Sequence, residues 1–211
     1  MPALVPRRQS EVAVAAWFAG PAGAAVLASE AGAIPERAPG PSLWLSPLPS
    51  AAVRDGVALH AAECGFAGAL RAGLPLPLAS ARFGRVVVQH LGDLACEPQL
   101  LLEECARVLA DGGQLWLLAL NPLSPYRLRW QGQGPRAAEP FAWRRRLRAV
   151  GLQPEAVTRG LGPVWSPTPD PAAQDGAGLR AAFLLRAEKR RVPLTPRPAR
   201  ARVAWQAEPT A

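Results

Sequence analysis

The sequence predicts an α/β protein built on a mostly parallel sheet, and two observations from its middle third carry that prediction. The first is a pair of short apolar runs, Val86–Val88 and Leu115–Leu120, each bounded by turn-forming residues. The second is the stretch between them, where apolar residues recur at helical spacing from Leu101 to Leu109. Apolar runs this short are typical of strands buried on both faces, and a helix joining two of them predicts a βαβ unit with parallel strands.

The other elements follow from turn signals and periodicity. Pro98 occupies a first-turn position of the central helix, and Asp111-Gly112-Gly113 is expected to end it. Residues 11–30 predict one or two helices that break at Gly20-Pro21. Further strands are expected at 42–46, 57–60, 68–71, 152–158 and 179–186, with a helix at 141–150 and a loop at 160–178.

These elements predict three segments. Residues 1–41 form an N-terminal helical extension and linker, and residues 42–190 form the domain that contains the sheet. Residues 191–211 form a basic tail, which its prolines and arginines predict to be disordered.

The net charge of +8 is concentrated in two arginine clusters, one at 127–148 and one at 186–202. Such clusters could bind nucleic acid or an anionic membrane surface, but we favour a solvated helix face and a solubilising tail. The three cysteines have no metal-ligand spacing, so no metal site is predicted and a reducing, cytoplasmic location is expected. Arg7-Arg8 before an apolar stretch leaves an export signal as the alternative, although Gly20-Pro21 cuts that stretch short.

Several motifs of the central unit occur in the order and spacing of one known family. They are Leu76-Pro77-Leu78, then Phe83–Leu91, then Ala106–Leu115, and finally Asn121-Pro122. Together they resemble the class I S-adenosylmethionine-dependent methyltransferases, in particular the methyltransferase type 11 group. Residues 119–129 and 192–196 are similar to a divergent small bacterial subgroup of it.

The resemblance implies a Rossmann-like class I methyltransferase fold. Its sheet has seven mostly parallel strands, with helices on both faces and an antiparallel last strand. Ligands of such sheets bind at the carboxyl ends of the strands. The resemblance therefore implies that S-adenosylmethionine is the cofactor and that His90 is catalytic, either as a base or as a substrate contact; the alternative is a structural histidine packed under the next loop. The implied cofactor-binding residues are Leu45, Ser46, His60, Gly73, Leu74, Gln89 and Leu91.

The sequence departs from the family at three places that normally hold the cofactor. Ser46-Pro47-Leu48-Pro49 stands where a glycine-rich loop is expected, His60 replaces an acidic residue, and Gly73 replaces an aspartate. Prolines lack the backbone N–H groups that a loop in close contact with a ligand offers. The sequence therefore predicts a methyltransferase with a degenerate cofactor loop that acts on a small molecule; the alternative is a non-catalytic binding or scaffolding protein with this fold.

Overall fold

The computed structural model describes residues 7–35, 38–49, 55–62, 65–94, 98–133, 135–164 and 180–190. The basic tail at 191–211 lies outside these residues. The described helices are α1 (Arg7–Ala19), α2 (Pro21–Glu30), α3 (Leu91–Leu94), α4 (Pro98–Val108) and α5 (Pro140–Ala149), with a 3-10 helix at Pro125–Arg129. The described strands are β1 (Ser42–Ser46), β2 (Gly56–Ala62), β3 (Gly65–Gly68), β4 (Phe83–Gln89), β5 (Leu109–Leu120), β6 (Gln153–Pro154), β7 (Arg159–Val164) and β8 (Arg180–Glu188).

Within the described residues, the eight strands form one sheet in the order β3-β2-β1-β4-β5-β8-β6, and β7 also pairs with β8. β1 is parallel to β2 and β4, and β4 is parallel to β5. β8 is antiparallel to β5, β6 and β7, and β3 is antiparallel to β2. Six strands therefore run in one direction, and only β3 and β8 oppose them. The predicted α/β fold with a mostly parallel sheet and an antiparallel last strand is confirmed.

The core lies where the sequence predicted it, around the central βαβ unit. Every residue of β4 is buried, and α4 places Leu101, Leu102 and Cys105 against the sheet. Burial raises the pKa of the Cys105 thiol to about 12, so Cys105 behaves as a small apolar core residue. Parallel strands covered on both faces explain why the two central runs contain almost no polar residues.

One boundary within the central unit differs from the prediction. The sequence Asp111-Gly112-Gly113 does not separate helix from strand, because β5 already begins at Leu109 and pairs there with Phe83. The residues that follow Leu109 bulge out until Gln114 pairs with Arg85, and Gly112 allows this bulge by adopting a φ of +76°.

The third strand and the region near 160 also differ. β3 covers Gly65–Gly68 rather than 68–71, and it folds back on β2 as an antiparallel strand. The strand expected at 152–158 is reduced to Gln153–Pro154, while Arg159–Val164, part of an expected loop, forms β7 against β8. Gly160, Gly162 and Pro163 made this segment look like a loop, but Gly160, Leu161 and Val164 pair with β8, and Gly162 and Pro163 lie in an irregularity between the paired residues.

The loop before β4, which contains Leu76-Pro77-Leu78, is held by two side chains of α4. The Glu104 carboxylate accepts a hydrogen bond from the Leu76 backbone N–H at 2.9 Å and pairs with Arg107. The Arg107 guanidinium donates in turn to the Leu76 and Leu78 carbonyls and to the Ser80 hydroxyl. Glu104 and Arg107 therefore fix this loop beside the amino end of β4.

Replacing Glu104 by glutamine should cost about 1 kcal/mol of stability at neutral pH. The hydrogen bond from Arg107 holds the pKa of Glu104 below its ordinary value of 4.5. Its stabilising effect is therefore present above the unfolded-state pKa and is lost as the pH falls through the folded-state value. Urea unfolding of both proteins at pH 7 and pH 3 should show a difference that shrinks in acid. Glu103→Gln, on the same helix but exposed, is the control and should change little at either pH.

A further observation concerns the apolar helices. Among the described residues, no single helix is long and apolar enough to cross a membrane. The pair Ala13–Ala19 and Pro21–Glu30 passes that test only when taken together, with a bend of 72° between the two helices.

Candidate functional site

The carboxyl ends of β1 and β2 bring three of the predicted residues together. Leu45 pairs with Leu59 across the two strands, and Ser46 pairs with His60. Leu45 and Ser46 are buried, whereas His60 is half-buried. The Ser46 hydroxyl donates to the Leu48 carbonyl at 2.7 Å, which turns the chain at the end of β1. Sheets of this kind bind ligands at the carboxyl ends of their strands, and at that position β1 carries Ser46 and β2 carries His60.

The connection from β1 to β2 is short. β1 ends at Ser46 and β2 begins at Gly56, so nine residues, 47–55, join two parallel strands. A crossover that contains a helix usually takes a dozen residues or more. The connection also contains Pro47 and Pro49, which have no N–H to offer a ligand. The connection from β1 to β2 thus differs from the glycine-rich loop that the resemblance implied at this position.

The end of β4 carries the other central residues, Gln89, His90 and Leu91. The His90 backbone N–H donates to the Leu118 carbonyl of β5 at 2.9 Å, and Leu91 starts α3. His90 has a φ of +54°, in the left-handed region that side chains other than glycine rarely adopt. Its side chain is fully buried. Strained backbone of this kind is found preferentially at functional sites, where the surrounding structure enforces it.

A buried acid from the N-terminal helices contacts this end of β4. The Glu30 carboxylate lies 2.8 Å from His90 Nε2 through Oε1, and its Oε2 accepts a 2.8 Å hydrogen bond from Gln89 Nε2. Trp44 Nε1 donates to Gln89 Oε1 at 3.3 Å and so orients that amide. Glu30 is only 1% exposed. Where Glu30 is a carboxylate, its oxygen accepts and His90 Nε2 is the donor of this contact.

The two N-terminal helices cover the site from outside. The Phe18 ring of α1 packs on the His90 ring with centroids 4.6 Å apart. Trp17 Nε1 donates to the Arg129 carbonyl at 2.9 Å, and the Tyr126 hydroxyl donates to the Ala22 carbonyl at 3.1 Å. Burial raises the pKa of Tyr126 above its ordinary value. Residues 14–34 thereby contribute several members of the hydrophobic core.

Asn121-Pro122, the end of the family motif, shapes the 3-10 helix that meets α1 and α2. The Asn121 amide donates to the Arg180 carbonyl, and its oxygen accepts from the Leu123 N–H. Ser124 then caps the 3-10 helix by accepting from the Tyr126 N–H. These buried polar residues place Tyr126 against the N-terminal helices.

Gly73 and Leu74 lie apart from the other predicted residues. They follow Ala72, which forms an isolated bridge with Phe66 of β3, so β2 and β3 separate them from β1. Both are exposed. The structure therefore brings together Leu45, Ser46, His60, Gln89, His90 and Leu91 at one edge of the sheet and places Gly73 and Leu74 at its side.

Sequence reasoning missed Glu30, although one signal for it exists. Glu30 is the only acidic residue between Val12 and Ile34, and it ends an otherwise uncharged helix. A negative charge at a helix C-terminus opposes the helix dipole, so its presence there requires a partner elsewhere. Nothing in the sequence indicated that the partner would be His90.

A large cavity lies at the opposite, amino-terminal edge of the sheet. It measures about 770 Å³ and is lined by Asp55, Val57, Leu78, Arg82 and Phe83, among others. Among the described residues, no group of three or more histidine, cysteine or acidic side chains could hold a metal ion.

Comparison with known proteins identifies the fold. No protein-family model and no curated protein matches the sequence. An S-adenosylmethionine-dependent methyltransferase from Thermotoga maritima is similar in structure, with a TM-score of 0.57 and 16% identity over 87% of this chain and 98% of that chain. A second similar structure is the methyltransferase component of a complex with the Haloferax volcanii Trm112 methyltransferase activator. It has a TM-score of 0.55 and 13% identity over 88% of this chain and 98% of that chain. At this level of identity the likeness shows that the chain has the class I methyltransferase fold.

Proposed function

We propose that this chain is an S-adenosylmethionine-dependent methyltransferase that acts on a small molecule. The observation that carries the proposal is His90, a strained and buried histidine at the end of β4, which contacts the Glu30 carboxylate that Gln89 also binds. A scaffold needs no strained, polar residue at the edge where related folds bind ligands, and such strain usually serves a site. The motifs from Leu76 to Asn121 further support the type 11 group and its small bacterial subgroup, and the buried thiol of Cys105 fits a cytoplasmic location.

The residues at this edge fit part of the cofactor. His60 stands where an acidic residue would accept from the ribose hydroxyls, and a neutral imidazole retains one acceptor nitrogen for that purpose. Leu45, Ser46 and Leu91 supply the apolar and backbone surroundings, whereas the prolines of the first loop offer no N–H groups. When bound, the cofactor supplies a methyl group on a sulfonium. His90 would then contact the acceptor or take its proton, and the walls of the site would align the acceptor with the methyl group.

Calorimetric titration with S-adenosylmethionine, and with its demethylated product, tests this proposal. We expect both ligands to bind, and we expect His60→Ala to weaken binding roughly fivefold, the equivalent of one hydrogen bond. Glu103→Gln, on the exposed side of α4, should leave the affinity unchanged. The absence of any heat signal at about millimolar ligand, the weak limit of useful affinity, would contradict the enzymatic function.

A non-catalytic binding protein with this fold is the second candidate, and the connection from β1 to β2 is the observation that favours it. Nine residues with two prolines, followed by the antiparallel β3, replace the part of the fold that the family uses to hold the cofactor. Failure of both titrations in a folded protein would select this candidate.

A further inference from the structure

The contacts of the Glu30 carboxylate resemble those that a protein makes to a bound carboxylate ligand. Both of its carboxylate oxygens accept hydrogen bonds, at 2.8 Å each, from side chains of two consecutive residues, Gln89 and His90. These two residues lie about sixty positions further along the chain than Glu30, and they belong to the sheet edge. Two converging donors at this distance match the geometry in which proteins bind a free carboxylate.

The two donors are fixed more firmly than the acid they bind. β4 is paired on both sides, with β1 and with β5, and Trp44 and the Leu118 carbonyl hold Gln89 and His90 individually. Glu30 instead ends α2, a ten-residue helix that precedes the sheet. A negative charge at the C-terminus of a helix is unfavourable, because the helix dipole is negative there. The arrangement is thus a rigid pair of donors and an acid on a separate element.

Burying the Glu30 carboxylate costs free energy, which suggests that the contact serves a function. Removing a carboxylate from water is expensive, and an apolar pair of the same size is often at least as stable. The contact lies at the carboxyl end of β4, beside the ends of β1 and β2 where ligands of this fold class bind. An acid that merely stabilised the fold would not need to be at that position.

We propose that Gln89 and His90 form a binding site for the carboxylate group of a small-molecule ligand, and that Glu30 fills this site while the ligand is absent. Entry of the ligand displaces Glu30 and the end of α2 from the two side chains, while Phe18 of α1 still packs on the His90 ring. The ligand's identity rests on the proposed function, because S-adenosylmethionine carries a carboxylate and a methyl acceptor can carry one too. A tethered carboxylate has a high effective concentration, so a free one competes only when further contacts help it.

Chemical rescue of Glu30→Ala with sodium acetate tests the site directly. Removing Glu30 takes away the acceptor that Gln89 and His90 share, and acetate can replace it. If acetate binds with a Kd of about 10 mM, roughly 100 mM acetate at pH 7 should shift the folding equilibrium about tenfold toward the native state. Equal sodium chloride should not, and wild type should respond equally to both salts. Glu155→Ala, which removes a carboxylate from an exposed pair with Arg186, is the control without a buried site. Equal responses of Glu30→Ala to acetate and chloride would overturn the proposal.

A second variant keeps the test decisive if Glu30→Ala does not fold. Glu30→Gln retains the volume but removes the charge, so a free carboxylate can compete with the amide. We expect acetate, relative to chloride, to accelerate hydrogen exchange of the α2 amides in this variant by severalfold. Exchange rates that are the same in both salts would refute the site.

Ligand titration shows whether the carboxylate comes from the cofactor or from the methyl acceptor. It also tests the carboxylate site independently of the proposed function. S-adenosylmethionine should bind Glu30→Gln more tightly than wild type, and its decarboxylated analogue should gain nothing, if the cofactor fills the site. Acetate rescue without any S-adenosylmethionine binding would leave the carboxylate site standing and remove the proposed cofactor. If S-adenosylmethionine and its decarboxylated analogue bind with equal affinity and acetate gives no rescue, the proposed cofactor stands and the carboxylate site is removed.

Discussion

Replacing Phe18 by alanine should lower the free energy of unfolding by about 3–5 kcal/mol, the usual cost of truncating a buried aromatic side chain. Phe18 is fully buried, packs on the His90 ring at 4.6 Å and meets the Trp17 ring edge-on at 4.8 Å. The substitution leaves a cavity between α1 and the end of β4. Urea unfolding followed by circular dichroism measures the change.

Phe141→Ala provides the matched control for Phe18→Ala. It removes the same side chain from α5, where Phe141 is 68% exposed, and should cost no more than about 0.5 kcal/mol. Amide hydrogen exchange should also show α1 opening more often in Phe18→Ala, because its main anchor on His90 is gone. Equal costs for the two substitutions would mean that α1 does not pack on β4 as described.

Gly84→Ala should destabilise the protein by about 2–4 kcal/mol, because the site cannot accept even one methyl group. A Cβ at this position would lie 1.9 Å from the Pro39 carbonyl oxygen, and backbone cannot move aside as a flexible side chain can. The Gly84 N–H also donates to the Pro41 carbonyl at 3.0 Å, so the chain entering β1 lies directly on β4. Thermal unfolding monitored by calorimetry gives the difference.

Gly32→Ala is the control for this second substitution. Gly32 follows α2, and a Cβ there would meet no atom within 4 Å. Its stability should stay within about 0.5 kcal/mol of wild type. If Gly84→Ala were equally harmless, the segment before β1 would not pass over β4 at the described distance.

Local patterns were sufficient for most of the central unit. The β-branched run at Val86–Val88 and the helical spacing from Leu101 to Leu109 predicted β4 and α4, because buried strands and amphipathic helices have distinct periods. The break at Gly20-Pro21 was also confirmed, since proline cannot continue a helix that precedes it. Errors came where strand pairing outweighs local preference: glycines and a proline predicted a loop at 160–164, yet Gly160, Leu161 and Val164 pair with β8.

The candidate site divides in the same way. His90, Gln89 and Leu91 were predicted because they belong to one strand and its turn, and the resemblance supplied that strand's place in the fold. Ser46 and His60 followed from the rule that carboxyl ends of parallel strands meet at one edge. Whether these residues bind the cofactor stays a prediction, to be decided by the titration.

The sequence by itself determined that this protein has an α/β fold with a parallel centre and an unusual, proline-containing loop after its first strand. Those properties depend on residues close together in the chain, where period and turn chemistry act. Only the tertiary structure decided that Glu30 meets His90 and Gln89, that Phe18 covers His90, and that β3 turns back on β2. The Glu30 and Phe18 contacts join residues about sixty or more positions apart. The packing of α1 and α2 over the sheet edge, rather than any local preference, determines which side chains face each other there.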